Sequence, residues 1–275
     1  MLVNSKKLLE KIKPNRALCA LNFSTKEVAE TIVKTASSLK APFILQTSTG
    51  EASFLDPETA ADIAQNLSQE YQFDFSLNLD HGHDLNLVKE CLKYGYSSIH
   101  FDGSRLPFPE NVSLTKQVVA LCRPKKVCVE GELGQIPGSS SFAKNQPEGS
   151  LTSPDQVVQF IKETQVDFLA ISVGEKHGLG KANLDFNLLK KIADLTNTPL
   201  VLHGGSGISQ ELLKKAINLG IKKINFNTEL RLAWTQSLRD FLSKHANEIV
   251  PYKILPSTEK KISQIVTEKL KTCTL

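Results

Sequence analysis

Short apolar runs alternate along the chain with stretches in which apolar residues return every three or four positions. The runs are RALCALNF from Arg16, APFILQTS from Ala41, FSLNLD from Phe75, SSIHFDG from Ser97, KVCVEGEL from Lys126, FLAISVG from Phe168, PLVLHGGS from Pro199 and IKKINFNT from Ile221. Most are rich in Val, Ile, Leu or Phe, as strands buried on both faces are. Between them lie helix patterns with start and stop signals. Ser24-Thr25-Lys26-Glu27 reads as a capping box ahead of Val28, Ile32, Ala36 and Leu39 on one face. Ser153, Pro154 and Gln156 predict another helix start, and Gly95 and Gly220 suit the left-handed stop position after two helices. Eight strands alternating with helices predict parallel pairing through right-handed crossovers. Eight such units favour an α/β fold of the closed (β/α)8, or TIM-barrel, type over an open sheet. Residues 1–275 thus read as a single barrel domain with extra C-terminal helices.

Two segments depart from the alternation. Residues 134–152, GQIPGSSSFAKNQPEGSLT, carry Gly, Pro and Ser without helical period and predict a long functional loop after the fifth strand. From about Glu229 to Leu275 the pattern is helical with a break at Pro251 and Pro256. This part is expected outside the barrel or against a partner subunit.

Composition narrows the function classes. Of 275 residues, 40% are hydrophobic and 23% charged, which suffices for a sizeable core. Lys plus Arg number 33 against 29 Asp plus Glu, a net charge of +4 spread along the chain. That balance does not suggest a nucleic-acid partner, though it helps attract an anionic small molecule. No apolar run approaches the ~20 residues of a membrane span. Lysines interrupt the apolar residues of MLVNSKKLLEKIKPN, so no signal peptide is expected there. Five Cys, at 19, 91, 122, 128 and 273, form no C-x-x-C pair, and a reduced, cytoplasmic chain is the expectation.

In a barrel of this kind the working residues sit at the C-terminal ends of strands. Those ends read Asp80-His81-Gly82-His83, Asp102-Gly103-Ser104, Glu130-Gly131-Glu132, Glu175-Lys176-His177-Gly178, His203-Gly204-Gly205-Ser206 and Asn225-Phe226-Asn227-Thr228. A single His after a strand is more often a structural hydrogen-bonder than a ligand. Three of the six histidines, His81, His177 and His203, fall at one barrel mouth, and three His with an open position are the usual donor set of catalytic zinc. His83 competes for the ligand role, His100 reads as a satisfied core residue and His245 as a surface one. Gly204, Gly205 and Ser206, with Asn225, Asn227 and Thr228, follow the seventh and eighth strands, where barrel enzymes hold phosphate on backbone N–H groups and hydroxyls. Asp80 reads as a proton donor or acceptor or as an orienter of a metal ligand. Asp102 and Glu132 either polarise a ligating His or ligate in turn.

The motifs LDHGH at 79–83, FDGS at 101–104, VEGELG at 129–134, VGEKHG at 173–178, LVLHGGSGI at 200–208 and KINFNTE at 223–229 resemble those of the class II, metal-dependent ketose-bisphosphate aldolases, in the family's order and over nearly the whole chain. The resemblance implies Zn2+ on His81, His177 and His203, and Asp80 handling the proton of the hydroxyl where the carbon–carbon bond breaks. It places Glu132 beside or alternately on the metal. It assigns Gly178, Gly204, Ser206, Asn225, Asn227 and Thr228 to dihydroxyacetone phosphate, with a monovalent cation, K+ or Na+, near the phosphate. Asn22 and Ser48 match positions near the substrate. The implied reaction is reversible cleavage of a ketose 1,6-bisphosphate, fructose 1,6-bisphosphate first, with tagatose bisphosphate as an alternative. Arg231, Arg105 and Lys181 are candidates for a second phosphate, and family members are usually homodimers or homotetramers. Many relatives carry an acidic Gly-Gly-x-Glu-Asp stretch in the loop after the fifth strand, absent from Gly134-Gln135-Ile136-Pro137-Gly138. Glu148, Glu132 or water then serves as the loop base. Residues 175 and 176 are charged where many relatives have small or apolar ones. The competing reading is a zinc- and sugar-phosphate-binding homologue without turnover.

Overall fold

The computed structural model describes residues 1–137, 149–175, 178 and 183–275. Eight parallel strands close into a barrel in sequence order: β1 (Leu18–Asn22), β2 (Phe43–Ser48), β3 (Ser76–Gly82), β4 (Ser98–Phe101), β5 (Cys128–Leu133), β6 (Phe168–Ile171), β7 (Leu200–Leu202) and β8 (Ile221–Phe226). β8 returns to β1 with Ala20 opposite Asn225. This is the (β/α)8 TIM barrel expected from the alternation, and each strand lies inside its apolar run except β3, which continues two residues past it to Gly82.

The helices are α1 (Ser5–Leu9), α2 (Lys26–Ser38), α3 (Thr49–Leu55), α4 (Pro57–Glu70), α5 (Leu85–Tyr94), α6 (Phe108–Cys122), α7 (Pro154–Thr164), α8 (Phe186–Ala193), α9 (Gln210–Asn218), α10 (Thr228–Lys244), α11 (Pro251–Ile254) and α12 (Glu259–Cys273). Most ring the barrel and bury one apolar stripe on it, as α5 does with Val88, Cys91 and Leu92. Asp84 caps α5 by accepting from Asn86 N–H, and Gly95 ends it at φ 94°. Gly220, at φ 119°, takes the same left-handed conformation after α9.

Local starts differ from expectation in two places. The capping box at Ser24–Glu27 does not form: Thr25 precedes α2 without a side-chain cap bond, and Ser24 Oγ donates to Glu51 instead. Ser153 precedes α7 with Pro154 in the first turn, but its hydroxyl makes no cap bond. A capping box does close at Ser48 and Glu51, which opens α3 directly at the end of β2.

The main core fills the space between the barrel and its helices, with Phe43 and Phe75 stacked at 5.2 Å between ring centres. α7 presses so closely on β5 that a Cβ at Gly131 would lie 2.8 Å from Phe160. Leu8 of α1 packs on Leu18, Ala20 and Ile44. The C-terminal segment follows the predicted pattern of helix, break and helix. α12 lies outside the barrel against α2, and Lys269 pairs with Glu229 of α10 at 2.7 Å. All five Cys are buried free thiols. Among the described residues no helix is long and apolar enough to cross a membrane.

Candidate active site

Polar side chains recur at every second position within several strands: Asn78 and Asp80, Ser98 and His100, Glu130 and Glu132, Lys223 and Asn225. A period of two directs each pair to one face. All eight residues are buried, and their hydrogen bonds link them across the barrel interior. Above this polar interior opens a cavity of about 380 Å³ at the C-terminal mouth.

His81 and His203 face each other there. His81 Nδ1 lies 2.9 Å from Asp102 Oδ2, and Asp102 Oδ1 accepts from the Ser104 hydroxyl at 2.6 Å. His203 Nε2 lies 2.8 Å from Glu130 Oε1. Each ring thus sets one nitrogen against a carboxylate, the kind of partner that orients a metal-binding imidazole. The ring nitrogens that face each other, His81 Nε2 and His203 Nδ1, are 3.0 Å apart, and Asn225 Nδ2 lies 3.1 Å from the latter. For a Zn–N bond of about 2.0–2.1 Å, ligand nitrogens on a tetrahedral ion are separated by roughly 3.3 Å. The donor set therefore fits a divalent metal, with Asp80, His100 and, on the other side, Asp102 and Glu132 near enough to join or steer it.

Backbone conformation aims His81 at this point. Its φ is 53°, in the left-handed region that a non-glycine residue rarely adopts, and the β3–β4 register shifts between Leu79 and Gly82. Its N–H donates to His100 Nδ1 at 3.0 Å. His100 is thus part of the site rather than the satisfied core residue the sequence suggested. Burial favours its neutral ring, while Glu130, Asp80 and Glu132 more than offset this and push its pKa up to about 10. With the His81 N–H on its Nδ1 side, the ring turns Nε2 to Glu132 Oε2 at 3.1 Å.

Asp80 sits between two amides. Asn225 Nδ2 donates to its Oδ1 at 2.9 Å and Asn22 Nδ2 to its Oδ2 at 3.2 Å. Burial alone would raise its pKa, but the imidazoles of His81, His100 and His203 hold it well below the usual carboxylate range. Burial, with His81 beside it, pushes His203 down, which favours its neutral, metal-binding form. Glu130 is likewise lowered: against burial, the Lys223 ammonium 2.6 Å away acts together with His100 and His203. Burial pushes the Glu175 carboxyl up to about 8, despite the Val173 amide it accepts at 2.7 Å.

The structure brings most of the sequence-selected residues to this cavity. Asp80, His81, Glu132, His203, Asn22, Ser48, Gly178, Gly204, Ser206, Asn225, Asn227, Thr228 and Arg231 all line it. Gly205 does not: its N–H donates to Asn225 O at 3.0 Å, and a Cβ there would lie 2.6 Å from Ile224. His83 lines the rim half-exposed, with Nδ1 3.0 Å from Asp102 O, and His245 is exposed. His177, Glu148, Lys176 and Lys181 lie outside the described residues. The sequence pattern assigned no role to Glu130 and Lys223, which interrupt apolar strands, or to Glu51, which lies in α3.

Lys223 carries one prediction. Lys223→Met leaves the Glu130 carboxylate buried without its cation, an uncompensated charge that costs about 3–5 kcal/mol. We expect a lower denaturant midpoint and, because Glu130 orients His203, roughly tenfold or greater loss of metal affinity. Lys223→Met combined with Glu130→Gln is expected to recover much of the stability but not the affinity.

The profile of the family described as fructose-bisphosphate aldolase class-II matches residues 3–275, so the chain belongs to that family of metal-dependent lyases. The YdjI aldolase from Escherichia coli K12 is 27% identical and superposes with a TM-score of 0.86 over 99% of this chain and 97% of that one. The fructose-bisphosphate aldolase (Fba) from Campylobacter jejuni, 20% identical, shares the fold with a TM-score of 0.83 over 99% of this chain and 95% of that one.

Proposed function

We propose that the protein is a zinc-dependent aldolase that reversibly cleaves a ketose phosphate between C3 and C4, releasing dihydroxyacetone phosphate. The convergence of His81 Nε2 and His203 Nδ1 beside Asp80 carries the reading. A divalent metal on those nitrogens and on His177 supplies Lewis-acid polarisation of the C2 carbonyl. Asp102 and Glu130 hold the two rings in register. Ser206 and Thr228, with the backbone at Gly204 and the N-terminus of α10, suit the C1 phosphate. Glu229 braces that loop by accepting from Gly207 N–H at 2.7 Å. A monovalent cation, K+ or Na+, is expected beside the phosphate near Gly178 and Gly204. Asp80, ionised and acceptor-only, takes the C4 hydroxyl proton as the bond breaks, while Asn22 and Asn225 fix its two oxygens. Glu132 stands nearest His100 and His81 as a carboxylate that steers or replaces a ligand; Glu148 is the loop candidate for the final proton exchange.

The first assay pair is fructose 1,6-bisphosphate, giving dihydroxyacetone phosphate and glyceraldehyde 3-phosphate, with tagatose 1,6-bisphosphate beside it. A chelator is expected to abolish triose-phosphate release, and added zinc to restore it. Borohydride with substrate is expected to trap nothing, because no lysine Schiff base is involved. Covalent trapping on a lysine would overturn the metal mechanism. Full zinc occupancy without cleavage of any ketose phosphate would support the binding-only reading, which the missing loop acids favour. We infer a single-domain chain working in the cytoplasm as a homodimer or homotetramer, and the exposed Phe54, Ile249 and Tyr252 support association.

A further inference from the structure

The cavity wall beyond Asp80 is built around one buried carboxylate. Glu51, in the first turn of α3, is 4% exposed. Its Oε2 accepts from Ser48 N–H at 2.7 Å and Asn22 Nδ2 at 2.9 Å. Its Oε1 accepts from Arg231 Nη2 at 2.6 Å, Ser24 Oγ at 3.2 Å and Asn227 Nδ2 at 3.4 Å. Donors from β1, β2 and the start of α10 thus converge on a single anion. Such a ring of donors with a guanidinium is the make-up of a site for phosphate or carboxylate. Here the chain's own carboxylate fills it.

The position of this cluster gives it a role. Asn22 donates to Glu51 and Asp80 at once, so the cluster continues outward from the group that handles the C4 proton. The C1 phosphate is assigned to Gly204, Ser206 and Thr228, over β7 and β8. The part of the substrate beyond C4 therefore meets Asn22, Ser48 and Arg231, all of which line the cavity. Arg105, the other arginine of the lining, is exposed on the loop after β4, beyond His81 and Asp102 in strand order.

We propose that Glu51 is the specificity-determining residue for the distal end of the substrate. By neutralising Arg231 it selects a ketose 1-phosphate whose far end is an uncharged polyol over a 1,6-bisphosphate. This rests on the aldolase reading and narrows its substrate class. A second phosphate against this wall would be desolvated beside a pair of zero net charge, with a carboxylate directly behind the guanidinium. Hydroxyl groups instead find neutral partners in Asn22, Ser48 and Thr49.

The test compares kcat/KM for fructose 1-phosphate and fructose 1,6-bisphosphate in zinc-loaded wild type, Glu51→Gln and Arg231→Gln. The wild type is expected to favour the monophosphate by about tenfold or more, about 1.4 kcal/mol. Glu51→Gln keeps the shape but removes the negative charge, and is expected to move the ratio at least about tenfold toward the bisphosphate. Arg231→Gln leaves Glu51 unneutralised and is expected to move it the other way. A merely structural role would shift both variants in one direction. A wild-type preference for the bisphosphate, or an unchanged ratio in Glu51→Gln, overturns the proposal. If Glu51→Gln does not fold, the wild-type ratio and Arg231→Gln decide it. Calorimetric Kd values for the uncleavable hexitol 1-phosphate and 1,6-bisphosphate read the same preference without turnover. Tighter monophosphate binding with no ketose cleaved removes the aldolase reading and leaves the selectivity standing. Tighter bisphosphate binding with cleavage intact does the reverse.

Discussion

His81→Ala is expected to strip the metal from the protein and to lower triose-phosphate release by about a thousandfold or more, the scale of several kcal/mol that Lewis-acid stabilisation contributes. Two features make the effect large. The His81 ring is one of the two whose nitrogens meet at 3.0 Å, so its removal opens the donor set. Its backbone is also held at φ 53° by a hydrogen bond to His100, which fixes where the ring points. His83 supplies the control. It lies two residues on and half-exposed, with its Nδ1 against the Asp102 carbonyl. His83→Ala is expected to keep the full metal content, measured by elemental analysis of the purified protein. His203→Ala is expected to behave like His81→Ala and also to leave Glu130 short of a donor. A His81→Ala protein that retains stoichiometric zinc would refute the ligand assignment.

The barrel was legible because its strands are apolar and short, and because eight of them recur with helices between. Period and count carry that information locally. The site was legible where chemistry sits at strand ends: Asp80, His81 and His203 are named by position alone once the fold is given. What escaped lies inside the strands. His100, Glu130 and Lys223 interrupt apolar runs, and an interior charge has no local signature that distinguishes a barrel lumen from a packing face. Their meaning comes from partners more than twenty residues away, as in Lys223 with Glu130. Glu51 was hidden differently. Ser48 and Glu51 form a capping box, a signal that explains the residue locally and so conceals its pairing with Arg231, far along the chain. The Ser24–Glu27 box failed for the same reason in reverse: Ser24 donates its hydroxyl to the buried Glu51 carboxylate instead of accepting from a helix amide.

Asp80→Ala is expected to separate metal binding from bond cleavage. The rings that define the metal site are oriented by Asp102 and Glu130, not by Asp80, so the variant should carry the same zinc as the wild type. Two buried amides, Asn22 Nδ2 and Asn225 Nδ2, each lose one acceptor, a cost of about 1–3 kcal/mol per group that lowers stability without unbuilding the barrel. Loss of the proton acceptor should lower cleavage by about 10²–10⁴-fold, the usual contribution of a positioned general base. The surrounding imidazoles hold Asp80 well below the ordinary carboxylate range, which makes it a weak base in the resting site. It therefore gains the hydroxyl proton only as the C3–C4 bond gives way and the aldehyde forms, a demand confined to cleavage. Exchange of the C3 hydrogen of dihydroxyacetone phosphate with deuterated solvent has no C4 hydroxyl to deprotonate. That exchange should persist in Asp80→Ala while ketose cleavage collapses, which ties the residue to one proton. Equal loss of both activities at full zinc occupancy would instead make Asp80 a brace for the site, and unchanged cleavage would remove it from the chemistry altogether.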